Sequence, residues 1–139
     1  MLKDLFNVIA RICIATIFLH EALDSIEHYY HTKETMTNYG ILWNQDFLLR
    51  STIGILILGG SLLIIGYKVK FASFLLMSYL IPVTFIVYSF WNDDLSVRPI
   101  HQLHFMHNIA IVGGLIMVYL YGSGKWSIKR MIDVWRLPR

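Results

Sequence analysis

The chain has 139 residues, 56% of them hydrophobic and 15% charged, with a mean hydropathy of +0.56 and a formal net charge of +3. A water-soluble domain of this length could not bury so much apolar surface, so the composition indicates a membrane protein. The single cysteine, Cys13, excludes an internal disulfide, and no basic stripe interleaved with aromatic residues indicates a nucleic-acid partner.

Four apolar runs follow one another along the chain. Each has roughly 20 residues, the length with which a helix rising about 1.5 Å per residue crosses the hydrocarbon core. None alternates polar and apolar residues over its length, so strands are not expected. We therefore predict an all-α integral membrane protein, a four-transmembrane-helix bundle that forms a single membrane domain over residues 1–139. The predicted spans are about 5–23, 47–66, 71–91 and 103–121.

The first run is expected to stay as an uncleaved span, because Arg11 interrupts it and no small-residue cleavage site follows. Helical steps of three and four place His20, Asp24 and His28 on one face at its outer end, with Glu21 beside them. Ionisable groups at this depth are costly unless paired or hydrated. A functional role and a polar cap that only ends the span both remain open.

The connections around the second and third runs differ in kind. Residues 26–46 are semi-polar and rich in tyrosine, which predicts a partly helical segment at the membrane interface. GYKVK, residues 66–70, predicts a tight turn between antiparallel neighbours. Pro82 should kink the third helix and free a carbonyl near Ser78. Tyr88, at the outer end of the third run, is expected near the histidines.

The fourth run opens with HQLHFMHN, residues 101–108, which holds three of the six histidines. Pro99 suits a first helical turn and predicts a helix start near residues 98–100. At about 100° per residue, His101, His104 and His107 fan over roughly 120° of the helix surface, so they cannot all reach one ion. His104 can act with either neighbour.

Three interpretations of this window stay open. Asn108 lies almost beneath His101, and neutral imidazole is favoured near a helix N-terminus, where it can ligate metal or accept a proton. The window could be a metal or haem site that pairs His104 with His20 of the first span. It could instead be a site that handles protons or a quinone head group, or a structural collar of hydrogen bonds.

The basic residues orient the bundle. Nine of the twelve lysines and arginines fall on the side that holds both termini, so we predict that both termini are cytoplasmic. Seven of the nine acidic residues and all six histidines fall on the opposite, outer side. The tail at about 125–137 interleaves tryptophan with basic residues and is typical of an amphipathic segment on anionic lipid.

Two stretches most clearly resemble the DoxX family of small four-helix membrane proteins. They are LIPVTFIVYSFW at 80–91 and HQLHFMHNIAIVGGLIMVYLYGSGKWSI at 101–128, the second containing the pattern FMxNxAIxGGL and the exit GxGxWS. GGSLLIIGYKVKFASFLL at 59–76 and ARICIATIFLHEALDSI at 10–26 resemble the family's second-to-third turn and first span. The resemblance covers nearly the whole chain.

The chain departs from the family's usual pattern at polar positions. Ser25 follows Asp24 where a lysine is common, and residues 55–57 are apolar where a glutamate is common. Tyr88 replaces a histidine, and His107 replaces a lysine. The family is similar to the membrane subunit of thiosulfate:quinone oxidoreductase, which implies an accessory or quinone-facing subunit.

We expect a subunit of a larger, redox-linked assembly in a bacterial-type inner membrane, with membrane lipid and other membrane subunits as partners and no nucleic acid. A quinone is the favoured cofactor, and any enzymatic role is that of a subunit of a quinone-linked oxidoreductase. The alternatives are a purely structural or assembly accessory subunit and a histidine-ligated haem or metal protein. The candidate polar pocket, at the outer leaflet, comprises His20, Glu21, Asp24, His28, Tyr88, His101, His104, His107 and Asn108.

Overall fold

The computed structural model describes residues 2–123, so the amphipathic tail predicted at about 125–137 lies outside the described residues. Within residues 2–123 the chain forms five α helices and one 3₁₀ helix, with no strand, which confirms the all-helical prediction for this part of the chain. The helices are α1 (Leu2–Glu27), α2 (Tyr29–Asn38), α3 (Gln45–Ile65), α4 (Val69–Val87) and α5 (Arg98–Tyr121), and the 3₁₀ helix is Phe90–Asn92.

Three of these helices, α3, α4 and α5, are long and apolar enough to cross a membrane. The run predicted over 71–91 extends past the end of α4, because the helix stops at Val87 and the following residues turn into the 3₁₀ helix. α5 begins at Arg98 with a proline in its first turn, as predicted. α1 has 26 residues and combines its apolar run with charged side chains.

The long helices pack in sequence as antiparallel neighbours. α1 packs along α3, α3 along α4, and α4 along α5, whereas α1 and α5 touch only sparsely. The α4–α5 pair is joined near both ends, by Lys70 over the Tyr119 ring at 5.9 Å and by the Phe85 and Phe105 rings at 5.4 Å. The core contains apolar residues from all four long helices, among them Phe18, Leu56, Leu76 and Leu115.

The predicted tight turn between α3 and α4 is confirmed. Gly66 ends α3 in the left-handed region at φ 75°, which a glycine adopts without the penalty of a Cβ atom. The backbone N–H groups of Gly66 and Tyr67 both donate to the Leu62 carbonyl, at 3.0 and 3.2 Å. These bonds satisfy a carbonyl that the end of the helix would otherwise leave without a partner.

Two side chains of α1 donate to carbonyls at the C-terminal ends of other helices. Arg11 is only 1% exposed and donates from Nη1 to the Leu63 carbonyl, 3.3 Å away, in the last turn of α3. Asn7 donates from Nδ2 to the Gly122 carbonyl at 3.3 Å, just after α5. A cation is favoured beside the carbonyl end of a helix, so Arg11 supplies both charge and a hydrogen bond there.

Two adjacent glycines bring α3 close to its neighbours. A Cβ atom on Gly59 would lie 2.7 Å from Cγ of Leu76 in α4, and one on Gly60 would lie 2.9 Å from Cγ of Leu19 in α1. Such small residues allow membrane helices to approach closely. By contrast, a Cβ atom on Gly54 would meet nothing within 4 Å.

Candidate functional site

A cleft of about 60 Å³ lies between α1, α4 and α5 toward the end of the bundle where α4 ends and α5 begins, called the outer end below. Four polar side chains line the cleft: Glu21 of α1, Tyr79 of α4, Tyr88 just after α4, and Asn108 of α5. Its apolar lining consists of Ile17, Phe18, Leu80, Val83 and Ile111. The cleft therefore combines hydrogen-bonding groups with an apolar wall, as ligand sites commonly do.

The cleft lies where α1 and α5 pack sparsely against each other. On its inner side the two helices approach closely, since a Cβ atom on Gly114 would lie 3.2 Å from Cδ1 of Ile14. One turn farther out, Ile17 and Ile111 line the cleft instead of closing it. The sparse packing of α1 against α5 thus leaves a gap between them, and residues of α4 line its base.

Tyr88 links the cleft to the histidines of α5. Its ring lies 5.2 Å from the His104 ring with a tilt of 32°, and 5.9 Å from the His101 ring in an edge-on arrangement. His101 places Nδ1 2.7 Å from a carboxylate oxygen of Asp93, with both side chains largely buried at 19% and 24% exposure. Asp93 therefore fixes the ring that flanks Tyr88 from the outer side.

The polar residues of α1 divide into two groups. His20 and Asp24 of α1 and His104 of α5 lie within electrostatic range of Glu21. His28 is farther along the chain, where Nδ1 lies 3.1 Å from the Asp24 carboxylate and both side chains are more than half exposed. Of these four residues Glu21 lines the cleft, whereas His28 lies on the outer surface together with Asp24.

The three histidines of α5 occupy different environments. His101 is half-buried against Tyr88 and Asp93, and His104 is exposed but stacks on Tyr88. His107 is exposed and makes no hydrogen bond, ion pair or ring contact with any other residue between positions 2 and 123. Asn108 faces the cleft itself.

Metal-ligating side chains do not converge in the described part of the chain. Among residues 2–123, no group of three or more His, Cys, Asp or Glu side chains is placed to hold a metal ion. His20 and His104 are both near Glu21, but they do not belong to a larger ligand group within that range.

Side-chain hydrogen bonds anchor the segment between α1 and α3 to α3 at the outer end. The prediction that it is partly helical is confirmed by α2. Lys33 of α2 donates to both carboxylate oxygens of Asp46, at 3.0 and 2.9 Å, and the Tyr29 hydroxyl donates to the same carboxylate at 2.8 Å. Tyr39 is half-buried near Tyr88 and Asp93, and this burial, followed by the charge of Asp93, raises the pKa of its hydroxyl.

Sequence reasoning missed two polar residues. Tyr79 lines the cleft, and its position in the middle of an apolar run, away from the interfacial belts where tyrosine is usual, was the signal. From the sequence, Arg11 interrupts the first apolar run and is a basic residue of the predicted cytoplasmic side, but no partner is predicted for it. Its depth in an apolar run already indicated that it needs a partner inside the protein, which is the role the structure assigns to it.

Comparison with known proteins identifies the family. The DoxX family model matches residues 6–89, and the SURF4 family model matches residues 48–135, so the two overlap over α3 and α4. The inner membrane protein YqjF of Escherichia coli is 24% identical over 132 residues, which are 95% of each chain. No solved structure matches the chain.

The eukaryotic relatives are much longer proteins. The Surfeit locus protein 4 homolog of Schizosaccharomyces pombe is 33% identical over 70 residues, and the ER-derived vesicles protein ERV29 of Saccharomyces cerevisiae is 32% identical over 77. These alignments take in 49% and 55% of this chain but span only about a quarter of each relative, 23% and 25%. By its own match over more than half of its length, the chain belongs to the DoxX family of multi-pass membrane proteins, and residues 48–135, also more than half of the chain, match the SURF4 family.

Proposed function

We propose that α1 is a fourth span and that the whole chain, residues 1–139, is one domain in a bacterial-type inner membrane with both termini in the cytoplasm. The nine-to-three distribution of basic residues supports this orientation. The hydrogen bond from Asn7 to Gly122 supports it too, since it joins the two ends of the described chain at one end of the bundle. YqjF, which this chain matches almost end to end, is an inner membrane protein.

The function that this geometry supports best is contact with a quinone head group in the outer leaflet, within a larger redox-linked membrane assembly. The observation that carries the proposal is the cleft in which Glu21, Tyr79, Tyr88 and Asn108 converge among apolar side chains. Quinone oxygens need hydrogen-bond donors, and quinol hydroxyls need acceptors. Tyrosine hydroxyls and the asparagine amide supply the first, and a carboxylate supplies the second.

The division of labour follows from the chemistry of each group. Reduction of a quinone to a quinol takes two electrons and two protons. Another subunit of the assembly would supply the electrons, while Glu21 and the nearby His104 would exchange the protons. Tyr88 stacks on His104 and lines the cleft, so it would position the head group between Glu21 and His104. In this proposal the chain binds the head group and exchanges protons, and it does not carry the electrons itself.

The test is equilibrium binding of a benzoquinone with a ten-carbon tail to the purified protein in lipid nanodiscs. We expect the double variant Glu21→Gln with His104→Leu to weaken binding by about tenfold or more, which corresponds to about 1.4 kcal/mol and to the loss of at least one hydrogen bond to a charged group.

The matched control is Glu27→Gln with His107→Leu. It makes the same chemical changes at exposed residues that do not line the cleft, so it should bind as the native protein does. Unchanged binding and unchanged membrane redox turnover in the Glu21 and His104 variant would refute the proposal.

A structural accessory role is the second candidate. α5 leaves a broad apolar surface exposed, and its only fully buried residues among those described are Leu115 and Val118, so it has room to pack against another membrane subunit. In that case deletion of the protein lowers the abundance of its partner, while the cleft variants have no effect. A His20–His104 haem or metal site is the third candidate, and an absorption spectrum with metal analysis of the purified protein decides it.

A further inference from the structure

The size of the cleft limits how much of a ligand it can enclose. Pockets that enclose a whole drug-sized ligand have volumes of roughly 300–1,000 Å³. The cleft, at about 60 Å³, has room for one edge of a head group beside Glu21 and Asn108. The rest of the ligand must therefore lie outside the protein, and what surrounds it depends on where the cleft opens.

Aromatic side chains lie on the outer side of the cleft. Tyr88 lines the cleft there, and His101, held by Asp93 at 2.7 Å, packs against the outer side of the Tyr88 ring. Tyr39 lies near Tyr88 and Asp93 as well, on the segment that Asp46 anchors to α3. A ligand that approached from the outer end along this side would meet these side chains first.

The lateral side of the cleft is open. Ile17 lines the cleft and is 48% exposed, at the gap that the sparse α1–α5 packing leaves. With a rise of about 1.5 Å per residue, Ile17 lies about 9 Å inside the outer end of the predicted first span at Leu23. On α5, Asn108 lies about 8 Å inside the start of the predicted fourth span at Leu103. The mouth is thus at the depth of the hydrocarbon core, whose half-thickness is about 15 Å.

We infer that the cleft opens sideways into the bilayer between α1 and α5, and that its ligand is an amphiphile that enters from the lipid, head group first, and leaves its apolar tail among the lipid chains. Ile17 marks the mouth, and the close approach of Ile14 and Gly114 closes the gap on the inner side. This inference rests on the proposed head-group site and adds the route of entry and the place of the apolar tail.

The first test measures which solvent the mouth faces, without any ligand. A nitroxide is attached at Ile17→Cys in a Cys13→Ala background, in nanodiscs, and its collisions with oxygen and with a water-soluble nickel chelate are compared. The controls are labels at Ile12→Cys, a residue of α1 that is 42% exposed and does not line the cleft, and at Asp94→Cys in the outer loop.

We expect the Ile17 label to match the Ile12 label, with frequent oxygen collisions and few nickel collisions. An Ile17 label that collides with the nickel chelate as often as the Asp94 label does would overturn the inference, because the cleft would then open to water. This outcome is independent of quinone binding, so it separates a wrong route from a wrong head-group site.

The second test uses binding kinetics of the ten-carbon-tailed benzoquinone. Ile17→Trp narrows the mouth and should slow association, whereas Ile12→Trp on the same helix should leave the rate unchanged. Equal rates for native protein and Ile17→Trp would contradict lateral entry even where the head group binds. If the probe does not bind the native protein, the head-group proposal fails, and the nitroxide comparison still decides the direction in which the cleft opens.

Discussion

Replacing Gly59 by alanine should push α3 away from α4. The new Cβ atom would lie 2.7 Å from Cγ and Cδ2 of Leu76, whereas ordinary contacts begin at 3.4 Å, so one side must move by about 0.7 Å (3.4 − 2.7). Leu76 is 0% exposed, so its side chain can shift only against the packed atoms around it. Overpacking a close-packed interior costs about 1–3 kcal/mol, and we expect a loss of stability of that size.

The assay is unfolding in mixed micelles with increasing SDS, followed by circular dichroism or by proteolysis. Gly54→Ala is the matched control, because its Cβ atom meets nothing within 4 Å, and it should be neutral or slightly stabilising.

A double variant tests whether the cost comes from the contact itself. Leu76→Ala alone should cost about 2–5 kcal/mol, since it leaves a cavity. In Gly59→Ala with Leu76→Ala, the added methyl group fills part of that cavity, so the double variant should lose about 0.5–3 kcal/mol less than the sum of the two single variants. If Gly59→Ala is as stable as Gly54→Ala, or if the two changes simply add, the close contact between α3 and α4 described above is refuted.

Two further predictions concern polar contacts outside the cleft. Arg11→Leu leaves the Leu63 carbonyl without its side-chain donor in a buried site, so the same SDS assay should show a loss of stability of about 1–3 kcal/mol. Lys3→Leu, at an exposed position, should change stability little. Equal stability of the two variants would refute the capping role of Arg11. Asp46→Ala removes the acceptor of Lys33, so amide hydrogen exchange should become faster in α2 and stay unchanged in α4. Unchanged exchange in α2 would show that the contact between Lys33 and Asp46 does not stabilise α2.

Much of the fold could be predicted because it follows from local features of the sequence. The length of the apolar runs predicts the long helices. Gly66 predicts the turn before α4, and Pro99 predicts the start of α5, and each does so by its own backbone conformation rather than by distant contacts. The end of α4 was misplaced, because Tyr88, Phe90 and Trp91 continue the apolar composition while the backbone turns into the loop.

The candidate site was harder to predict, because it depends on how far α1 and α5 separate. Helical periodicity predicts different directions for His101, His104 and His107, but it does not predict that Tyr88 packs beside the first two. Tyr79 reaches the site from α4, and a single polar atom in an apolar run is a weak sequence signal. Distances between helices follow from side-chain packing, such as Ile14 against Gly114, which a single sequence does not report.

The central claim is that the cleft at Glu21 binds an amphiphile with a quinone head group. Native mass spectrometry of the protein in nanodiscs formed directly from the source membrane tests this claim most directly, beside the variant Glu21→Gln with His104→Leu. We predict that the native protein carries an adduct with the mass of an isoprenoid quinone and that the variant has lost it. A native protein without such an adduct, or the same adduct on both proteins, would contradict the account.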